Sequence, residues 1–215
     1  MPTCGGRTAG RRRCSELAGP EAYVFDFDGT LGTIPVDWDR VREGLRRVTG
    51  DPSEFKPVFP TIAEVVARDP KLARPVFAVI DEFEAAAAPS ARLYEGTVGL
   101  LSRLSETTKV SLVTMQGRGA CSHVLERFGL KQYFLRYFTR EDSLDRAEQI
   151  GFALSAMKVG RASSMFVGDR LNDLAAAKKV GMPFTMIRTH GEDPEEDGVP
   201  VYHSIAEFSA SLLLP

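Results

Sequence analysis

Two acids separated by one residue, Asp26 and Asp28, stand in the segment Asp26-Phe27-Asp28-Gly29-Thr30. On a chain leaving a strand, alternate side chains point the same way, so both carboxylates can address one place. Carboxylates that share a site repel unless a cation or a proton comes between them. A hard divalent ion answers that repulsion, and magnesium takes few carboxylates, leaving its other positions to water and substrate phosphate. Asp26, held ionised, could then attack phosphorus, while Asp28 gives a proton to the leaving oxygen and later takes one from water. Gly29 and Thr30 let the backbone turn sharply and offer amides to phosphate oxygens.

These residues need a frame. Tyr23-Val24-Phe25 is a short apolar run that stops at Asp26, the pattern of a buried strand. Trp38, Val41, Leu45 and Val48 then recur at helical spacing and end at Gly50, and Thr61 with Glu64 reads as a capping box ahead of Ile62, Val65 and Val66. Leu72, Val76, Val79, Ile80 and Phe83 share a face of a third helix, which runs through Ala85 to Ala88 and ends at Pro89. From about Gly32 to Ser90 the pattern is helical, with no strand signal.

After Tyr94-Glu95-Gly96 the rhythm alternates. A helix with Val98, Leu101 and Leu104 precedes the strand Val110 to Val113, which ends at Thr114. A helix with Val124, Leu125 and Phe128 stops at Gly129, and another, entered through Asp145 with Glu148 three later, carries Ile150, Ala153, Leu154 and Met157. The strand Ser164 to Val167 runs into Gly168-Asp169, a helix through Leu174 and Val180 closes at Gly181, and Phe184 to Ile187 is the last clear strand. Ser204 with Glu207 opens a final helix. Such alternation implies an α/β fold, a parallel sheet covered on both faces with its site at the carboxyl ends of the strands, which selects Asp26, Thr114 and Asp169. The expected division is a basic tail over residues 1–20, a core over 21–32 and 91–215, and a mainly helical cap over 33–90, placed to cover the site.

Asp26-Phe27-Asp28-Gly29-Thr30-Leu31 resembles the first motif of the haloacid dehalogenase-like hydrolase superfamily, and the whole chain from about Tyr23 to His203 is similar to its phosphoglycolate phosphatase type. The resemblance implies a Rossmann-like core with a helical C1-type cap, and a flap over Gly32 to Asp37. It makes Asp26 the nucleophile and Asp28 the acid that marks phosphatases and phosphomutases. Thr114 matches the second motif, with its hydroxyl on a phosphate oxygen. Gly168-Asp169-Arg170-Leu171-Asn172-Asp173 resembles the fourth, with Asp26, Asp28 and Asp169 about magnesium and Asp173 one turn above, orienting a bound water or the basic residue. The third motif departs from the pattern: no Lys-Pro pair lies between Thr114 and Gly168. The stretch Thr139 to Arg146 resembles the usual lead-in and sets Arg146 where the lysine would stand, against Arg140 or Lys158. Arginine keeps a permanent charge and can fork onto phosphate.

Plainer readings accompany each of these. They are Thr114 as a cap of the next helix, Asp173 as a helix-start residue favoured by the dipole, Arg146 as a solvated residue in its first turn, and Gly117 as a turn into the helix rather than an amide donor to phosphate. In the cap, Trp38, Arg40, Arg42 and Lys56 are candidates to touch substrate or simply to pack. His123, His190 and His203 match no ligand spacing.

The chain has 215 residues, 43% of them hydrophobic, enough for one full core and a satellite. A formal net charge of -2 gives no general attraction to nucleic acid or acidic membranes. Arg11-Arg12-Arg13 in the tail leaves a nucleic-acid arm or an organelle transit peptide as sharper alternatives to a mobile end. Cys4, Cys14 and Cys121 build neither a disulfide framework nor a zinc site, which suits a reducing cytoplasm. Glu192 to Asp197 reads as an acidic surface loop. The reading is a magnesium-dependent phosphatase of a small phosphorylated metabolite, using an aspartyl-phosphate, with no nucleic-acid or membrane partner. A phosphomutase of the β-phosphoglucomutase type and a non-catalytic phosphate-binding domain are the alternatives. A receiver domain fits less well, given the inserted helices and the Gly168 to Asp173 segment.

Overall fold

The computed structural model describes residues 19–189 and 198–213. The basic tail, His190 and the acidic loop from Glu192 lie outside the described residues. Six strands form one parallel sheet: β1 (Ala22–Phe25), β4 (Lys109–Val113), β5 (Arg136–Phe138), β6 (Ser164–Gly168), β7 (Phe184–Ile187) and β8 (Val201–Tyr202). Their order is β5-β4-β1-β6-β7-β8, so β1 lies in the middle. This is the expected α/β, Rossmann-like sheet.

All four residues of β1 are buried, because the sheet is covered on both faces. Tyr23 and Phe25 face one core with Leu100, Leu101 and Leu104 of α4 (Thr97–Thr107) and Val124 and Leu125 of α5 (Arg118–Arg127). Ala22 and Val24 face the other, with Ile150, Ala153 and Leu154 of α6 (Arg146–Met157) and Leu174 and Ala177 of α7 (Leu171–Val180). Phe25 and Phe166 have no exposed surface, and burying a side chain of this kind stabilises by roughly 1.5–3 kcal/mol. The last helix, α8 (Ile205–Ser211), is capped by Ser204, whose hydroxyl accepts the Glu207 amide at 3.1 Å.

Between β1 and β4 the chain makes a helical excursion. It leaves through β2 (Gly32–Thr33) and returns through β3 (Arg92–Leu93), which pair antiparallel, Gly32 opposite Leu93. The excursion holds α1 (Trp38–Thr49), α2 (Val58–Arg68) and α3 (Ala73–Ala87). These close a small core of their own from Val41, Leu45, Phe55, Ile62, Val65, Val76 and Ile80. The helical stripes read from sequence face this core, except Val48 at the end of the first, which is exposed.

Four expectations need correction. Thr61 caps nothing: α2 begins at Val58, after Pro57, and the Thr61 hydroxyl bonds back to the Pro57 carbonyl at 2.7 Å. The segment from Gly32 is not wholly helical, since β2 opens it. Strands β5 and β8 extend the sheet on opposite edges, and at three and two residues they are too short for an alternation to register. Glu148 does not close a box on Asp145, whose own side chain takes the Ala147 amide; Glu148 instead accepts from the Ser143 hydroxyl at 2.7 Å.

Candidate active site

The strands β1, β4 and β6 are neighbours, so Asp26, Thr114 and Asp169, one residue past each, gather at one edge of the sheet. The crossover fits the rule that such sheets bind where the strand order reverses: the chain proceeds from β4 to β5 on one side of β1 and from β6 to β8 on the other. Asp26 and Asp169 are buried, at 5% and 1% exposure, and Thr114 at 1%.

Carboxylate oxygens of Asp26, Asp169 and Asp173 lie within 4.8 Å of one another. Asp173 approaches because Gly168 has no side chain: a Cβ there would stand 2.7 Å from Asp173 Oδ2. Its two oxygens divide their partners. Oδ2 accepts the Arg170 amide at 3.4 Å, capping α7, while Oδ1 faces Arg146 Nε at 3.2 Å. Asp173 thus caps α7 as the helix-start reading expects and also faces Arg146.

Arg146, at the first position of α6, bridges the acids, with Nη1 3.0 Å from Asp26 Oδ1. Of the three basic candidates it is the one at the acidic cluster. Arg140 is bound elsewhere, by Glu84 and Asp81, and Lys158 ends α6 in a left-handed conformation. Burial works against the charge of Arg146, but Asp26, Asp173 and Asp169 outweigh it and hold the guanidinium above its ordinary value. Burial pushes the Asp26 carboxyl well above the carboxylate range; Arg146 opposes this, and Asp173, Asp169 and Asp28 add to it. Asp169 is pushed up to about 7, by burial first and Asp173 second.

Two guanidiniums border these three buried carboxylates: Arg146 beside Asp26 and Asp173, and the more exposed Arg170, whose Nε lies 3.6 Å from Asp169 Oδ2. All three offer hard oxygen donors, converge on one point and repel one another, which is the donor chemistry of a magnesium-type cation. Asp28 stands outside this cluster of side-chain oxygens. Its Oδ1 accepts the Ile34 amide at 2.9 Å, a bond that ties the start of the excursion to the loop after β1.

The phosphate-facing amides are fewer than the sequence suggests. Gly29 gives its amide to the Gly32 carbonyl at 2.8 Å, and Gly117 gives its amide to Glu84 Oε2 at 2.8 Å. Neither amide is therefore turned to a substrate in this structure. The turn after β1 is held internally, with the Phe27 carbonyl accepting the amides of Thr30, Leu31 and Gly32. Thr114 Oγ1 accepts the Gln116 amide at 3.2 Å, and its carbonyl accepts from Gln149 Nε2 at 3.1 Å.

Several residues enter that sequence reasoning passed over. The Thr189 hydroxyl donates to the Gly29 carbonyl at 2.6 Å, pinning the loop after β1 from the end of β7. Tyr94, on the returning segment, has its hydroxyl pushed up by burial and then by Asp28 and Asp169. Gln116 Oε1 is buried with no hydrogen-bond partner among the described residues, as is Oγ1 of Thr30, a residue the sequence marked only for its amide. Neither Thr189 nor Tyr94 carries a spacing signal; each comes to the site through a fold contact between distant segments. Cys121 is free and buried, with its thiol pushed up to about 12 by burial.

A family model described as haloacid dehalogenase-like hydrolase matches residues 60–187. No curated protein matches the chain. Among solved structures, a hydrolase from Pseudomonas syringae superposes with a TM-score of 0.71 at 17% identity, covering 89% of this chain and 97% of that one. CbbY from Rhodobacter sphaeroides in complex with phosphate gives 0.67 at 20% identity, covering 91% and 100%. A HAD phosphatase from Thermococcus onnurineus gives 0.64 at 22% identity, covering 89% and 97%. At these identities the likeness is one of fold.

Proposed function

Because the chain belongs to the haloacid dehalogenase-like hydrolase family, we propose that it hydrolyses a small phosphate monoester through an aspartyl-phosphate on Asp26. The observation that carries this reading is the convergence of Asp26, Asp169, Asp173 and Arg146 at the carboxyl edge of the sheet.

Asp26 attacks phosphorus with a carboxylate oxygen, and the bond from phosphorus to the ester oxygen breaks. Asp28, protonated at the start, gives its proton to the departing oxygen. The same carboxylate then takes a proton from water, which attacks the phosphorus of the acyl phosphate and frees Asp26 with inorganic phosphate. Arg146 keeps a fixed positive charge where the phosphoryl oxygens gather, and Thr114 donates its hydroxyl to one of them. Asp173 holds Arg146 in place through Nε. Asp26 and Asp169 would hold magnesium, with Asp173 beside them; when bound, the ion offsets the negative charge shared by the carboxylates and the phosphoryl group.

The helices of residues 33–90 act as a cap, a reading supported by their separate core and by the paired strands at their base. The phosphate seen with the CbbY structure supports a phosphorylated small molecule as the substrate class. The free thiol of Cys121 fits a cytoplasmic setting. Turnover of p-nitrophenyl phosphate with magnesium by the wild type, and its loss in Asp26→Asn, tests the mechanism; equal rates in the two proteins would end it. A panel of phosphorylated metabolites then names the substrate.

A further inference from the structure

Glu84 is 1% exposed and sits near the end of α3, on the excursion rather than on the sheet. Its carboxylate crosses to the core. Oε2 accepts the Gly117 amide at 2.8 Å, and the two oxygens accept Arg140 Nη1 at 2.8 and 2.7 Å. Arg140, 4% exposed, also donates Nη1 to the Met115 carbonyl at 3.2 Å and its backbone amide to the Gln116 carbonyl at 3.4 Å. Its Nη2 pairs with Asp81, which lies near Glu84 on α3.

Met115, Gln116 and Gly117, the three residues directly after Thr114, are thus each bonded to Glu84 or Arg140. The fit leaves no room at Gly117, where a side chain would run into the Arg140 guanidinium and Asp81. Thr114 itself is reached through the same turn, since its hydroxyl accepts the Gln116 amide. A buried ion pair is a poor stability device, because apolar replacements of similar volume are often neutral or better. What this pair contributes is geometry: it sets three consecutive peptide groups and connects them to α3.

We propose that Glu84 and Arg140 are positioning residues, which act through the Met115–Gly117 backbone to aim Thr114 at a phosphate oxygen, so that the loop is formed only while α3 is seated on the core. The inference rests on the role given to Thr114 above, and its test has one arm that needs no turnover. That arm is amide exchange of the full-length protein, read by mass spectrometry on the peptide spanning Thr114 to Arg118. Glu84→Ala should speed exchange there about tenfold or more, while peptides from β6 and β7 stay near wild type. Glu84→Gln, whose amide oxygen can still accept from Gly117, should fall between.

With p-nitrophenyl phosphate, Glu84→Ala should lose about 10- to 100-fold in kcat/KM and bind inorganic phosphate about tenfold more weakly as an inhibitor, with Glu84→Gln restoring most of both. Unchanged exchange at Thr114 to Arg118 overturns the proposal, as does exchange that rises evenly over all peptides. Wild-type kcat/KM and phosphate inhibition in folded Glu84→Ala overturn it equally. If Glu84→Ala does not fold, Glu84→Gln and Arg140→Lys are compared in the same way, and exchange identical to wild type in both is the refuting result. An inactive wild type would remove the phosphatase reading while the exchange arm still decides whether α3 holds the loop.

Discussion

Arg146 meets Asp26 across the carboxyl edge of the sheet, Nη1 to Oδ1 at 3.0 Å. The guanidinium has a second nitrogen on Asp173, and an ammonium, being a single point, cannot hold both acids in the same planar geometry. Arg146→Ala should therefore cost about 100-fold or more in kcat. Arg146→Lys should recover part of that loss, since it restores the charge beside Asp26 but not the fork. Steady-state kinetics on one substrate checks the order wild type, lysine, alanine; a lysine variant no better than alanine would show that geometry rather than charge is needed.

The Asp169 carboxyl, pushed from 3.8 up to about 7 by burial and then Asp173, makes stability depend on pH. Its folded value lies above its unfolded one, so without divalent ions the folded chain keeps a proton that the unfolded chain releases near pH ~4. That contribution is complete below pH ~4 and is lost as pH rises through about 7. Thermal midpoints in chelator should fall across this window more steeply for wild type than for Asp169→Asn. Magnesium should raise the wild-type midpoint more at pH ~8 than at pH ~5, because binding needs the ionised carboxylates. A magnesium shift that is the same at both pH values would contradict the assignment.

Thr114→Val keeps the shape of a β-branched residue and removes the hydroxyl that accepts the Gln116 amide. We expect a loss of about 10- to 100-fold in kcat/KM, with Thr114→Ser close to wild type. A valine variant with unaltered kinetics would remove Thr114 from the reaction.

Cys121 is buried and its thiol pushed up to about 12, so little thiolate exists at neutral pH. Iodoacetamide at pH ~8 should leave the Cys121 peptide unlabelled in the native protein and label it fully in denaturant. Peptide mapping reads this directly, and native labelling would mean that the α5 packing opens readily.

The parts of this molecule that can be read in sequence are those whose signal is local. Asp26 ends an apolar run, Asp145 caps α6 through the Ala147 amide and Gly181 closes α7 in a left-handed conformation; each of these is decided by a few neighbouring residues. Arg146 is the intermediate case. The motif lead-in set it beside Arg140 and Lys158, and only the fold separates them, by turning Arg140 into a buried pair with Glu84. Glu84 itself left no mark: an acid near the end of a helix reads as solvated, and its burial depends on a contact with a residue 56 positions away. Gly29 and Gly117 misled for the same reason, since a glycine announces a flexible amide but not the carbonyl or carboxylate that will claim it.

The pairing of Gly32 with Leu93 has a consequence for how this architecture can change. It brings the two ends of the helical excursion side by side, so the excursion is a cassette: its contents can be exchanged for others of different length without altering the order of the parallel strands. Deleting it and joining Thr33 to Arg92 would preserve every strand neighbour of β1 yet remove Glu84 with it. On the positioning role proposed for Glu84, an exchanged cassette has to bring its own partner for Arg140, a constraint on lineage and on engineering alike.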